Sequence, residues 1–218
     1  MAHESHYRSH LRDLHFNLFE VYEVQKHSLG QGPFAEVDQD LSEELLRNAK
    51  ALAEGAFAAG FASGDEEGLR LDREGNVSLP QGMRDALAAY HEGEWQRLTA
   101  PVALGGYGAP PSVYWAVFEL LVGANPAATF YLLGEVNAHV INRLGTPKQQ
   151  EVFARGIIER KWGGTMMLTE PGAGSDVGSC LSRAKHVEGD LWHLEGTKRF
   201  ITNGDFDTVE NIIHLVLA

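Results

Sequence analysis

The spacing of hydrophobic residues changes near Trp162. Before this residue, apolar positions recur mainly at three- and four-residue steps, which is the period of a buried helix face. After it, short segments rich in β-forming residues are separated by turn residues. The pattern predicts an α+β protein, in which an N-terminal all-α helical bundle is followed by the first strands of a β-barrel or β-sandwich domain.

Three helices are predicted from their apolar periodicity. The first begins with a capping box of Asp40 and Glu43 and ends at Gly64. Residues 81–94 and 113–123 predict the second and third helices.

Two further helices are predicted from their first residues. Asn125-Pro126 combines a capping residue with proline at the first helical position, and it starts a helix that runs to about Arg143. Thr146-Pro147 repeats this signature and starts a helix to about Arg160.

Four strands are predicted in the last part of the chain, with Glu188-Gly189-Asp190 as a hairpin turn. They cover residues 165–168, 182–188, 191–200 and 211–217. Four strands alone would leave edges unpaired, so we interpret the chain as one part of a longer protein or of an assembly. The predicted domains are an N-terminal extension (1–38), a helical domain (39–162) and a truncated middle β domain (163–218).

Charge and composition narrow the function classes. The chain has 218 residues and a formal net charge of −12, without a basic cluster, which argues against nucleic-acid binding. The single cysteine, Cys180, cannot form an internal disulfide. No apolar run approaches the roughly 20 residues of a membrane helix. We therefore expect a cytoplasmic protein without a membrane span.

Candidate chemistry lies in a glycine-containing loop at residues 169–177. Gly172 and Gly174 allow the backbone to approach a ligand closely, and successive backbone N–H groups can bind an anion. Thr169 and Ser175 add hydroxyl groups. These features suit a phosphate-bearing cofactor, whereas a tight loop that only joins two strands is the alternative reading.

Several segments together resemble the acyl-CoA dehydrogenase family, and specifically a longer subfamily with an N-terminal extension. The two central motifs are Leu-Thr-Glu-Pro-Gly-Ala-Gly-Ser-Asp-Val at 168–177 and Gly-Thr-Lys-Arg-Phe-Ile-Thr-Asn-Gly at 196–204. Further similar segments are residues 7–21, 101–108, 145–150 and 209–218.

The resemblance implies FAD as cofactor and an acyl-CoA thioester as substrate, with hydride transfer from C3 to flavin N5. It also implies an electron-transfer flavoprotein as partner and a homo-oligomer, a dimer or tetramer, for the full-length enzyme. The family's general base is a glutamate of the C-terminal domain. No catalytic residue is therefore assigned here, residues 1–218 alone are expected to be inactive, and Glu170 is expected to belong to the loop structure.

The resemblance also implies the residues that contact the cofactor. Thr169 is expected at the pyrimidine edge of the flavin, Phe200 against its face and Thr202 near N5, while Ser175 is expected to contact both the pyrophosphate and the substrate. The complete predicted set is Met166, Leu168, Thr169, Gly174, Ser175, Phe200, Ile201 and Thr202. No metal ligand is predicted.

Two other function classes remain open. The chain could be a non-catalytic, truncated remnant or a partner subunit that acts only by protein–protein contact. It could also be a related flavoprotein, such as an acyl-CoA oxidase or a nucleic-acid-associated homologue, although the acidic charge argues against the latter.

Overall fold

A computed structural model describes residues 5–218, so residues 1–4 of the predicted extension lie outside the described part. Helices occupy the chain up to Arg160, and the longer strands follow, as the sequence predicts. The helices are α1 (Leu11–His15), α2 (Val24–His27), α3 (Gln39–Leu52), α4 (Ala58–Glu67), α5 (Gln81–Glu92), α6 (Pro111–Ala124), α7 (Pro126–Phe130), α8 (Gly134–Leu144), α9 (Pro147–Gln149) and α10 (Arg155–Arg160). The strands are β1 (Arg70–Leu71), β2 (Val77–Ser78), β3 (Gly163–Met167), β4 (Arg183–Glu188), β5 (Leu191–Glu195) and β6 (Ile212–Val216).

The start and end of the first long helix differ from the prediction. Asp38, not Asp40, caps α3, and its carboxylate accepts a 2.9 Å hydrogen bond from the backbone N–H of Leu41. A wider π-turn at Ala53–Phe57 joins α3 to α4. The helix passes Gly64 and ends at Glu67, because Gly68 adopts a positive φ of 64° that stops it.

The predicted fourth helix is divided in two. Asn125 caps α7 as expected, with its side-chain oxygen 3.0 Å from the backbone nitrogen of Ala128. The helix then ends at Phe130, and α8 starts at Gly134 after a turn. The capping box of Thr146 and Gln149 is present at the start of α9, as Thr146-Pro147 predicts.

The main core lies between the helices. Its fully buried side chains include Phe57, Leu87, Val113 and Leu121. Helices α4 and α5 approach closely where two glycines meet, since a Cβ on Gly60 would lie 2.3 Å from the carbonyl oxygen of Gly82. A smaller cluster, which includes Ile141, Ile157 and Ile158, packs between α8, α10 and the strands.

The strands of the described residues form three separate pairs. β1 and β2 are antiparallel, β4 and β5 form the predicted antiparallel hairpin, and β3 pairs with β6 in parallel. In the parallel pair, Gly163 lies opposite Ile212 and Met167 opposite Val216. Residues 168–211 therefore leave one strand and return beside it. No helix in residues 5–218 is long and apolar enough to cross a bilayer.

Candidate functional site

The first motif begins where β3 ends and turns sharply. The backbone groups of Glu170 and Ala173 bond to each other in both directions, at 2.9 and 3.2 Å, and close a tight turn over Pro171 and Gly172. Ala173 is buried beneath this turn, whereas Gly174 and Ser175 are exposed. The loop thus presents its glycine backbone and the Ser175 hydroxyl to solvent.

Glu170 is buried below the loop, and its carboxylate is fully engaged. It accepts hydrogen bonds from the backbone N–H groups of Leu181 (2.7 Å) and Ser182 (3.0 Å) and from the Lys198 ammonium (2.9 Å). The Ser182 hydroxyl, the Leu181 N–H and Lys198 lower the pKa of Glu170 to about 2. Glu170 therefore holds the loop together as a carboxylate, which agrees with the structural role expected for it.

The second motif lies against the first. The backbone N–H of Arg199 donates to the carbonyl oxygen of Thr169 at 2.9 Å. Lys198 donates to the carbonyl oxygen of Leu168 at 3.0 Å while it pairs with Glu170. Gly196 also approaches Ser182, which follows the first motif, because a Cβ on Gly196 would lie 2.1 Å from the Ser182 hydroxyl oxygen. The two motifs therefore lie side by side, joined through Lys198 and Arg199.

The predicted residues of the second motif differ in exposure. Phe200 has a positive φ of 58° and is 78% exposed, with the Arg199 guanidinium 4.4 Å from its ring centroid. Ile201 is half-buried and Thr202 is exposed. All three directly follow Lys198 and Arg199, which bond to Leu168 and Thr169.

The predicted residues in the first motif and on β3 before it fall into three groups. Leu168 and Thr169 are half-buried and bond directly to the second motif through their carbonyl oxygens. Met166 is 50% exposed on β3. Gly174 and Ser175 lie beyond the turn, and within residues 5–218 no hydrogen bond joins them to residues 200–202. An added Cβ on Gly174 would meet nothing within 4 Å, so this part of the loop faces open space.

Residues at the end of the second motif and just after it attach it to the helical part. Asn203 donates through its side-chain amide to the carbonyl oxygen of Phe130. Asp207 accepts from the backbone N–H of Leu79 at 3.2 Å and pairs with Arg84. The sequence motif includes Asn203 but gives no sign of its partner. The residues around Asp207 do not indicate its role, because its partners lie more than a hundred residues earlier in the chain.

The two motifs and the end of β3 carry three kinds of group. These are exposed apolar side chains at Met166 and Phe200, hydroxyl groups at Thr169, Ser175 and Thr202, and an unobstructed glycine backbone at Gly174. Groups of these kinds suit a ligand with a flat apolar ring and an anionic group. Within residues 5–218, no group of three or more His, Cys, Asp or Glu side chains could hold a metal ion.

Comparison with known proteins adds an independent line of argument. A family model described as "Acyl-CoA dehydrogenase, middle domain" matches residues 165–215. The broad-specificity linear acyl-CoA dehydrogenase FadE5 of Mycobacterium tuberculosis is 44% identical over 216 residues, which cover 98% of this chain and 35% of that protein. The 3-methylmercaptopropionyl-CoA dehydrogenase of Ruegeria pomeroyi is 35% identical over 222 residues, covering 97% of this chain and 36% of the relative.

The fold agrees with these relatives. The structure of butyryl-CoA dehydrogenase from Megasphaera elsdenii superposes with a TM-score of 0.62 at 24% identity, over 76% of this chain and 42% of that chain. This chain spans about a third of the length of the two curated relatives. The chain belongs to the acyl-CoA dehydrogenase family, and its helices and strands correspond to that family's N-terminal helical and middle β domains.

Proposed function

We propose that the protein to which this chain belongs is an FAD-dependent dehydrogenase of acyl-CoA thioesters. The proposal rests on the direct contact between the two motifs. Arg199 donates a hydrogen bond to Thr169, and Lys198 donates hydrogen bonds to both Leu168 and Glu170. When bound, the flavin supplies hydride acceptance at N5, and the residues of this chain bind and orient it.

The residues present fit this cofactor by their chemistry. Met166 and Phe200 offer exposed apolar surface for an isoalloxazine ring, with Leu168 and Ile201 beside them. Gly174 and Ser175 offer backbone N–H groups and a hydroxyl for a diphosphate, and Ser175 also serves the substrate. The hydroxyls of Thr169 and Thr202 are assigned to the polar edge and the N5 region of the ring.

The proposed substrate is a linear acyl-CoA, since the FadE5 relative named for that specificity shares 44% identity with almost the whole chain. An electron-transfer flavoprotein is the proposed electron acceptor, and a homo-oligomer is the proposed assembly. Residues 5–218 supply contacts for binding and orientation, and we place the general base on a glutamate outside them.

The test is a purification of the protein followed by two measurements. Its visible spectrum should show bound FAD, and a panel of linear acyl-CoA substrates should reduce an artificial electron acceptor. A protein that binds no FAD and oxidises no acyl-CoA would contradict the proposal. That result would favour a partner subunit that acts by protein–protein contact.

A further inference from the structure

The last two residues of the second motif and the three residues after it hold the motif against the helical part. We name residues 203–207 the anchoring segment. Its first member, Asn203, is 8% exposed and has a positive φ of 60°, a backbone conformation that asparagine tolerates better than most residues. Its side-chain amide donates to the carbonyl oxygen of Phe130, at the end of α7.

Phe206 fixes the middle of the anchoring segment. It is 4% exposed and belongs to the main core formed by the helices. Its ring meets that of Tyr131 edge-on, with centroids 5.0 Å apart and planes at 73°. The Phe206 ring also closes against Gly163, where an added Cβ would lie 2.7 Å from the ring. Side-chain packing therefore leaves this residue little freedom.

Two aspartates fix the end of the anchoring segment to residues 77–84. Asp205 accepts from the backbone N–H of Val77 at 3.0 Å, and Asp207 accepts from that of Leu79 at 3.2 Å. Arg84 completes the contact, since it pairs with Asp207 and donates to the carbonyl oxygen of Leu79 at 2.9 Å. Charge-assisted hydrogen bonds of this kind fix the geometry of the contact as well as strengthening it.

Thr202 immediately precedes this fixed segment and is itself exposed. We propose that Asn203 and Asp207 are positioning residues: by attaching the anchoring segment to Phe130 and to Leu79 and Arg84, they set the place of the Thr202 hydroxyl beside a bound flavin. The inference rests on the proposed function for the role of Thr202. It extends that function to residues that do not touch the cofactor.

The experiment compares the FAD-loaded protein with Asn203→Asp, Asp207→Asn and Arg84→Met. Asn203→Asp keeps the size and the positive φ but replaces the amide donor with an acceptor. Asp207→Asn removes the charge that faces Arg84, and Arg84→Met removes the guanidinium at a partly exposed site while keeping an unbranched apolar side chain. Thr202→Val gives the effect of losing the hydroxyl itself, and Asp190→Asn, in the exposed hairpin turn, is the control.

Three readouts are used: flavin absorbance and midpoint potential at equal FAD content, the rate of flavin reduction by butyryl-CoA, and amide hydrogen exchange at residues 201–207. We expect the anchoring variants to shift the flavin bands and potential in the same direction as Thr202→Val. Reduction should slow by about tenfold or more, because small misplacement of a reacting group is costly. Hydrogen exchange should accelerate at residues 201–207 in these variants, while the Asp190 control matches the unmodified protein in every readout.

Two results overturn this inference alone. One is FAD-loaded variants whose flavin spectrum, potential and reduction rate match those of the unmodified protein. The other is hydrogen exchange that stays unchanged in all three anchoring variants. An unmodified protein that binds no FAD would instead overturn the proposed function, and this inference with it.

Discussion

Lys198 and Glu170 are 28 residues apart in the sequence, and their side chains meet in a buried ion pair with a nitrogen–oxygen distance of 2.9 Å. Only 10% of the Lys198 side chain and 6% of the Glu170 side chain are exposed. The pair lies beneath the loop of the first motif and holds the start of the second motif against it.

Glu170→Gln should destabilise the protein at neutral pH and much less so at acidic pH. The pKa of Glu170 is lowered to about 2, so its ionised form stabilises the fold fully above its unfolded value near 4.5. That contribution is lost as the pH falls from about 4.5 towards 2. Urea unfolding at pH 7 should show a lower midpoint for the variant than for the unmodified protein, and the difference should shrink on acidification within this window. The exposed Glu67→Gln serves as the control, and an equal loss in both variants would contradict the role of the buried pair.

Gly174→Ala should weaken FAD binding without disturbing the fold. A Cβ at this position meets no protein atom within 4 Å, so the variant should unfold at the same urea concentration as the unmodified protein. If a diphosphate lies against this backbone, the methyl group should raise the dissociation constant for FAD about tenfold, which is about 1.4 kcal/mol. Titration of FAD into the flavin-free protein measures this change.

Gly172→Ala is the matched control for that titration. Its added Cβ also meets nothing within 4 Å, but Gly172 is not among the proposed contacts. Equal dissociation constants for the two variants and the unmodified protein would remove Gly174 from the site.

Gly164→Ala should destabilise the packing between β3 and α8. An added Cβ would lie 2.7 Å from Cα of Gly134 and 2.8 Å from the side-chain nitrogen of Asn137. That nitrogen bonds to the carbonyl oxygens of Thr165 and Ile213, so it cannot move aside freely. Overpacking of this kind costs about 1–3 kcal/mol in unfolding free energy. Urea unfolding checks this, and a change within about 0.5 kcal/mol would show that the contact relaxes.

Glu135→Gln should remove a loss of stability that the unmodified protein shows as the pH rises towards 8. Burial raises the pKa of Glu135 to about 8, although a hydrogen bond from the Tyr90 hydroxyl opposes the shift. Because the folded state keeps a proton that the unfolded state releases, stability falls as the pH rises from about 4.5 to 8, by at most about 1.4 kcal/mol per pH unit. The Gln variant keeps an acceptor for Tyr90 but has no proton to lose.

The informative window for this variant is pH 6.5 to 8. Burial lowers the pKa of His91 to about 4, so the stability that depends on its neutral form is lost below about pH 6.5, which opposes the Glu135 effect there. Urea unfolding between pH 6.5 and 8 should slope downward for the unmodified protein and for the exposed control Glu188→Gln. The slope should be absent for Glu135→Gln, and parallel slopes in all three would contradict the prediction.

Local sequence signals predicted the fold well where the residues within a helix determine where it begins and ends. Residues 81–92 and 111–124 are helical as their apolar periodicity indicates, and the Thr146-Pro147 signature starts a helix. Competing local signals were harder to rank. Asp38 and Asp40 are both suitable caps, and the structure uses Asp38. The turn between α7 and α8 was missed because no proline or strong breaker marks residues 131–133.

The two motifs of the candidate site could be predicted from the sequence, but the ion pairs that hold them in place could not. The sequence identified residues 168–177 and 196–204, and the structure joins them through Arg199 and Thr169. The pairing of Glu170 with Lys198, and that of Asp207 with Arg84, depend on long-range contacts. In a chain with 30 acidic residues, nothing in the local sequence singles out these particular carboxylates.

The parallel pairing of β3 with β6 has a consequence for how this region tolerates change. Residues 168–211 leave β3 and return to β6, which pairs with it. Insertions at the tip of the exposed β4–β5 hairpin should therefore leave the ends of this segment in place. We therefore expect tags, labels or additional residues placed after Gly189 to be accommodated at the exposed turn without displacing β3 or β6.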